Sequence, residues 1–261
     1  MLFLLVLLLL AGPAAPGALE AAPEPTGAHQ APPDSLSRVL STRYTYEWVD
    51  GRRNWHNRGL SLELPLPLGT VVTSLSQRRR FGRGEAAGAA EYWVDLWGDA
   101  YGHVHVGLAP QALTIPRQHL GGALYEVFGT WEVAGRVEWR RYAATDVLML
   151  SPQLARYAGS WYLRLRTAIT EQGGTWSATQ IAAARYQFGG PDSFVEGQLG
   201  YGRTVEVAGT ALGALQPARS YFGSARLHHF FSPHLGTAVS ATYSEGVYRR
   251  TGVSVGLLAR W

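Results

Sequence analysis

The 261-residue sequence contains no cysteine and no lysine, and both absences narrow its chemistry. Without cysteine the chain has no disulfide scaffold, no thiolate metal site and no cysteine nucleophile. Charged residues make up only 16% of the chain, below the roughly 25% of ordinary soluble domains. All 23 basic residues are arginines, and the net charge of +4 is too small for the concentrated basic stripe of a nucleic-acid-binding protein. We therefore expect no nucleic-acid partner.

The sequence also has no long apolar run beyond its first eleven residues. A membrane-spanning helix needs about 20 consecutive apolar residues, so helical spans are excluded for the rest of the chain. Yet 46% of the residues are apolar, 11% are aromatic and 31 are glycines. Short alternating strands that face lipid on one side have this composition. It favours a transmembrane β-barrel; the alternative is a soluble β-sandwich or lipocalin-like barrel.

The first forty residues have the composition of a targeting segment and a linker. Residues 2–10 are uniformly apolar and are followed by small residues, as in a signal peptide. We expect residues 1–21 to be that signal peptide, cleaved between Ala15 and Ala22. Residues 22–40 are rich in proline and alanine and predict a periplasmic linker. Asp34 is placed to cap a short helix over residues 35–40.

From residue 41 onward the hydrophobic pattern has period two. Trp161, Leu163 and Leu165, for example, alternate with polar or charged residues. About fourteen such segments of some ten residues follow, which is long enough for tilted strands to cross a bilayer. The pattern therefore predicts an all-β fold, a single transmembrane antiparallel β-barrel over residues 41–261, with 12 or 16 strands as alternatives. Every second connection is short, whereas residues 81–89, 109–119 and 204–218 suggest longer loops, which predicts that the short turns are periplasmic.

The polar face of the predicted strands carries arginines and glutamates in cross-strand groups, while the opposite face is nearly uncharged. A soluble barrel would turn its apolar face inward, so this pattern favours an inside-out arrangement with a charged lumen. The positions that we predict to line a pore are Trp93, Arg136, Glu138, Arg140, Tyr162, Arg164, Arg166, Arg185, Glu196 and Arg226. Aromatic residues at strand ends predict a girdle at the lipid headgroups. The girdle positions are Trp131, Trp161, Trp176, Phe188, Tyr221 and Tyr243.

Several short motifs resemble the YaiO-type outer-membrane β-barrel family. They are Trp55-His56-Asn57, Gly69-Thr70-Val71-Val72 with Arg80-Phe81-Gly82, Trp139-Arg140-Arg141-Tyr142, Ala184-Arg185-Tyr186-Gln187-Phe188-Gly189 and Leu199-Gly200-Tyr201-Gly202. The resemblance implies residence in the outer membrane, among its lipids. The last eight residues, with Gly256 and the terminal Trp261, resemble the signal that the barrel-assembly machinery recognises. Some barrels of this type are similar to those of polysaccharide-export porins, in which a periplasmic domain feeds the polymer into the pore.

The predicted lumen suggests a conduit. Rings of arginine favour anions, so we hypothesise export of a hydrophilic polysaccharide, exopolysaccharide or capsule-like, across the outer membrane. A separate periplasmic export protein would then be a partner, together with the glycan. One alternative is a non-conducting structural or adhesive barrel. A lipid-modifying enzyme is a third class, but no nucleophile elbow, phosphate loop or carboxylate pair stands out, and we expect no catalytic residues.

His103 and His105 lie two residues apart and share a strand face, a spacing that also occurs in metal sites. Only Glu91 and Asp95 are obvious additional ligands in the sequence. We therefore expect a lumen or interfacial histidine pair rather than a metal site, and no cofactor.

Overall fold

The computed structural model describes residues 37–190, 192–207 and 215–261, and there the backbone forms one closed antiparallel barrel of fourteen strands. The predicted fold class and strand number are confirmed. The strands are β1 (Val39–Val49), β2 (Trp55–Leu66), β3 (Gly69–Arg80), β4 (Arg83–Asp95), β5 (Ala100–Leu108), β6 (Gln118–Phe128), β7 (Trp131–Arg141), β8 (Asp146–Ala158), β9 (Trp161–Gln172), β10 (Thr175–Gln187), β11 (Phe194–Val207), β12 (Leu215–Phe230), β13 (Leu235–Glu245) and β14 (Arg249–Arg260).

Closure of the barrel follows from neighbour pairing. Each strand pairs with the next in the chain, and β1 pairs with β14 from Val39 opposite Arg260 to Val49 opposite Arg250. A closed ladder leaves no strand edge unpaired, which a lipid environment requires because lipid offers no hydrogen bonds. Within the described ranges, no helix has the length and apolarity to cross a membrane.

The two faces of the wall differ in the way that the period-two pattern predicts. On β9, Leu163 and Leu165 point outward and are 43% and 53% exposed, whereas the intervening Arg164 is 6% exposed. The apolar row therefore covers the outside, where lipid replaces water, and the charged row is enclosed. This arrangement is the reverse of a soluble barrel.

The first strand begins earlier than the sequence analysis predicts. Val39 and Leu40 pair with Arg260 and Ala259, so they belong to β1 and not to a linker. The short helix predicted over residues 35–40 is not formed where that segment is described, because closing the barrel requires β1 to pair along the whole of β14. The predicted signal peptide and residues 22–36 of the predicted linker lie outside the described residues.

The long loop predicted over residues 81–89 is wrong. A tight turn at Phe81 and Gly82, with φ angles of 51° and 79°, joins β3 to β4, and Glu85 and Ala89 lie within β4. Both central residues of such a turn need positive φ, which phenylalanine rarely adopts. Phe81 is held there by edge contact with Trp55, at 5.1 Å between ring centroids.

The connections at the two ends of the barrel differ less in length than predicted. We call the end that holds Trp261 the terminal end, and the opposite end the loop end. Strands β11 and β12 extend to Val207 and from Leu215, which shortens the predicted loop over residues 204–218. Gly173 and Gly174 alone join β9 to β10. Among the fully described connections, residues 109–117 form the longest, and the periplasmic location of the terminal end stays a prediction.

The connection over residues 109–117 is firmly attached to the wall. Glu85 of β4 accepts hydrogen bonds from the backbone amides of Leu113 and Thr114, at 2.8 and 2.9 Å, and from the Thr114 hydroxyl at 2.6 Å. Ala112 and Ile115 are buried beside it. One buried carboxylate thus accepts hydrogen bonds from three donors of this loop and fixes the loop against β4.

Candidate functional site

The interior of the barrel is filled unevenly. From β5 to β12 many of the inward-facing side chains are large and buried: Glu132 is fully enclosed, and Arg166 is 5% exposed. From β13 through β1 to β4 many inward positions are small, and Arg43, Ala89 and Thr242 are exposed although they face the interior. We call this second side the small-residue wall. Among the described residues, the interior is therefore filled less along the small-residue wall than along the packed side opposite it.

All ten predicted pore-lining positions lie on the inner face. The register places Glu138 beside Gly121 and Met149, Arg164 beside Ala155 and Ala183, and Arg226 beside Glu196. They do not form one ring. Eight of them belong to separate clusters, seven along the packed side and Trp93 next to it on β4, while Arg164 and Arg166 lie between clusters on β9.

The first cluster surrounds Glu132 at the terminal end. Its carboxylate accepts hydrogen bonds from three phenol hydroxyls, each at 2.7 Å, which belong to Tyr101, Tyr157 and Tyr162. The Gln153 side-chain amide donates a fourth at 3.2 Å. A buried carboxylate needs several donors to offset its desolvation, and these four groups provide them. Tyr162 is therefore part of a buried polar network.

Trp93 belongs to an aromatic stack beside that network. Its ring centroid lies 5.9 Å from that of Tyr125, which in turn stacks on Tyr101 at 4.6 Å with the rings parallel within 1°. The Trp93 indole N–H donates to Glu91. With 7% of its surface exposed, Trp93 packs against these neighbours and leaves little of its ring open to the interior.

Glu196 holds the second charged cluster together. One carboxylate oxygen accepts from Arg185 at 2.7 Å and the other from Arg226 at 3.0 Å. Both guanidinium groups also lie over the ring of Phe194, at 4.5 and 5.2 Å from its centroid. Two arginines share one carboxylate, so the cluster carries a net positive charge on the inner wall.

The third cluster joins β5, β6 and β7. His105 Nε2 and His119 Nε2 are 2.8 Å apart, and His119 Nε2 lies 3.2 Å from the Glu138 carboxylate. Arg136 and Arg140 also bind Glu138, the former at 3.4 Å. This cluster again pairs one carboxylate with two arginines.

His119 was not predicted as a site residue, because residues 109–119 were expected to form a loop. In the structure β6 begins at Gln118, so His119 falls on the inward face of a strand. The signal was present in the sequence: His119 lies an even number of residues before Gly121, Ala123 and Tyr125, so it shares their inward strand face.

An apolar cluster fills part of the packed side nearer the loop end. Ile181, Met149 and Ala168 are buried at 1%, 3% and 2% exposure, and Phe222 packs against them. The Phe222 ring lies beside Gly200, where any side chain would collide with it. Glycine at this position is therefore a packing requirement.

The loop end is partly covered by an aromatic and arginine cluster. Trp55 is 4% exposed and lies between Arg80 and Arg250, whose guanidinium carbons are 4.7 and 5.2 Å from its ring. Tyr248 packs against Trp55 at 6.1 Å between ring centroids. These groups narrow the opening on the side of β1 to β4.

Most of the predicted girdle positions lie near strand ends on the outer face, while Tyr221 lies within β12, opposite Glu245 at the end of β13. Trp131 and Trp161 stand at the terminal end and are 44% and 47% exposed, while Trp176 stands near the loop end at 56%. Tyr221 and Tyr243 both donate hydrogen bonds to Glu245, at 2.5 and 2.8 Å. The remaining predicted member, Phe188, is half-buried against His229, at 5.7 Å between ring centroids.

The predicted assembly signal lies at the seam where the barrel closes. A side chain at Gly256 would collide with the Thr42 carbonyl, so β1 and β14 meet there through glycine. The Trp261 backbone amide donates to the Arg38 carbonyl at 3.2 Å, and its side chain is 56% exposed at the terminal end.

The closed apolar-coated wall and its enclosed charges define an outer-membrane β-barrel protein. The sequence profile of the YaiO membrane beta barrel domain matches residues 37–206. The chain therefore belongs to the YaiO family of outer-membrane barrels, as its motifs indicate. No curated protein matches the sequence.

Several solved outer-membrane proteins are similar in fold. Omp33 of Acinetobacter baumannii has a TM-score of 0.50 at 7% identity, with 87% of this chain and 99% of that chain covered. A loop-deletion mutant of OmpT, an outer membrane protein of Vibrio cholerae, gives 0.48 at 8% identity, covering 87% and 100%. The KdgM porin in complex with disordered oligogalacturonate gives 0.47 at 13% identity, covering 84% and 98%. At these identities the similarity concerns the fold alone.

Proposed function

We propose that this barrel is a conduit for a hydrophilic, anionic solute, and that the solute is an acidic polysaccharide leaving the cell. The observation that carries the proposal is the pairing of two arginines with one carboxylate in each of the Glu138 and Glu196 clusters. Both clusters face the interior and give it a surplus of positive charge. Charged side chains lining a pore set its ion preference, and arginine favours anions.

The small-residue wall supplies the passage. Thr242 and Arg43 face the interior from strands on opposite sides of β14 and both stay exposed to water. A path lined by hydroxyl groups and an arginine suits an extended, hydrated chain with negative charges. The proposed partner in the periplasm is an export protein that delivers the polymer to the terminal end.

Conductance of the purified barrel in a planar bilayer tests the conduit. We expect stepwise currents whose reversal potential in a KCl gradient has the sign of chloride preference. An oligomer of uronic acid should block this current more strongly than a neutral oligosaccharide of equal length, which is the matched control. Absence of current overturns the conduit. Export is tested separately by deleting the gene: a deletion strain that releases its acidic surface polysaccharide normally contradicts export and leaves the conduit standing.

A non-conducting structural barrel is the second proposal, and the packing of the interior favours it. The Glu132 network and the apolar cluster around Ile181 occupy volume that an open pore would leave to water. On this proposal the clusters stiffen the wall. The bilayer measurement separates the two, because only the conduit carries current.

We further propose that the chain is not an enzyme. Ser193 Oγ lies 3.2 Å from His229 Nδ1, an arrangement that a nucleophile and its base share. However, Ser193 is 2% exposed and its oxygen also accepts the amide hydrogen of Phe230. The serine therefore supports a strand connection. A purified barrel that hydrolyses phospholipid or acyl esters would contradict this assignment.

A further inference from the structure

We propose that His105, His119 and Glu138 form a binding site for a divalent transition cation of the zinc class inside the barrel. The three residues come from β5, β6 and β7, and their inward side chains converge on one point. One ligand atom from each lies within 4.8 Å of the others. The proposal concerns the interior alone and stands whether or not the barrel conducts.

The separations fit a tetrahedral site. Zinc binds imidazole nitrogen and carboxylate oxygen at about 2.0–2.2 Å, which places neighbouring ligand atoms about 3.4 Å apart. The two histidine Nε2 atoms are 2.8 Å apart, and His119 Nε2 is 3.2 Å from Glu138 Oε2. Outward movements of a few tenths of an ångström would admit the ion. Two imidazoles and one carboxylate are also a common ligand set for zinc with an open fourth position.

The hydrogen-bonding capacity of His119 Nε2 points the same way. This nitrogen faces His105 Nε2 at 2.8 Å, Glu138 Oε2 at 3.2 Å and Arg140 Nε at 3.4 Å. A ring nitrogen has either one hydrogen or one lone pair, so it satisfies one of these neighbours at a time. A cation between the two imidazoles and the carboxylate would use a lone pair from each of them.

The surroundings leave space and access for an ion. A methyl group at Gly121 would come within 2.6 Å of the His105 ring and 3.0 Å of Glu138 Cγ, so glycine there makes room for both ligands. The His119 side chain is 25% exposed, which leaves the fourth position to water. Glu91 and His103 form a second possible group with His105, adding a nearby carboxylate.

The two arginines are the main opposing charge. Arg136 and Arg140 bind Glu138, but their side chains are 14% and 17% exposed. Both side chains are long and flexible, so they can move when an ion binds. Arg140 must release His119 and share Glu138 with the ion. Arg136 binds the other carboxylate oxygen, so it orients the ligand as outer partners of metal sites do.

Metal titration of the tag-free full-length barrel in detergent tests the site. We expect one equivalent of Zn²⁺ to bind, and Co²⁺ to show the intense visible absorption of a four-coordinate ion. Affinity should fall in acidic buffer, because protonated imidazole cannot bind a metal. His119→Asn and Glu138→Gln should each weaken binding at least about 100-fold, more than the loss of an outer partner.

His234→Asn is the matched control, because His234 is exposed in a turn at the terminal end and should leave affinity unchanged. Heat-dependent gel mobility reports whether each variant is folded, and the cobalt spectrum of the unaltered protein supports the site even if a variant fails to fold. Absence of saturable binding would mean that the two histidines only share a proton, and it overturns the proposal. Unchanged affinity in folded His119→Asn overturns it equally.

Discussion

Glu132 is the residue whose removal should damage the barrel most. In Glu132→Ala, three phenol hydroxyls and one amide lose the acceptor that they share. Leaving one buried donor unsatisfied costs about 1–3 kcal/mol, but water entering the space and new pairing among the hydroxyls will recover part of the total. Four such losses with partial recovery lead us to expect that the free energy of unfolding falls by about 3–5 kcal/mol.

Urea unfolding followed by tryptophan fluorescence measures the loss, since the slope of the transition also reports whether the folded state stays compact. Asp99→Ala is the control at the same end: Asp99 is exposed in a turn and its removal should change stability by less than about 0.5 kcal/mol. If the two variants unfold at the same urea concentration, the hydrogen bonds to Glu132 do not stabilise the barrel.

Three further variants test other parts of the account. Glu196→Gln removes the negative charge that its two arginines share, so the preference of the pore for chloride in a bilayer should increase. A decrease would show that the arginines do not face the passage. Gly200→Ala forces an aromatic ring of β12 aside and should lower the free energy of unfolding by about 1–3 kcal/mol. The control Gly197→Ala places its methyl group in open space and should not lower it. Equal effects of the two variants would contradict the packing of that ring over residue 200. Trp261→Ala should lower the amount of barrel in the outer membrane several-fold. The control Trp97→Ala changes a similarly exposed tryptophan and should leave the amount unchanged. Equal levels of the two variants on immunoblots would refute an assembly role for Trp261.

The sequence predicted the wall of the barrel well, because period two is imposed by strand geometry along every segment. Neighbouring residues such as Leu163 and Arg164 lie on opposite faces of the wall, and the polarity of each side chain is enough to assign its face. The number of strands followed from the same pattern. The turn at Phe81 was missed because its conformation depends on contact with Trp55, a long-range interaction that local turn signals do not contain.

The interior was harder to predict. Inward-facing charge could be assigned residue by residue, but the partners depend on which strands are neighbours and at what register. Glu132 gave no sign that three tyrosines from different strands would surround it. The alternation of residues along each strand places His105 and Glu138 on the inner face. Only the pairing of β6 between their two strands brings them beside His119.

Cysteine accessibility inside the barrel tests the water-filled passage most directly. The native chain has no cysteine, so Thr242→Cys introduces a single thiol on the small-residue wall and Ala241→Cys places one on the lipid face of the same strand. A charged, membrane-impermeant thiol reagent reacts with the thiolate, which forms in water and not in lipid. We predict that the reagent modifies Thr242→Cys and lowers its current, while Ala241→Cys stays unmodified. A Thr242→Cys barrel that resists the reagent, or conducts unchanged after modification, would contradict the passage.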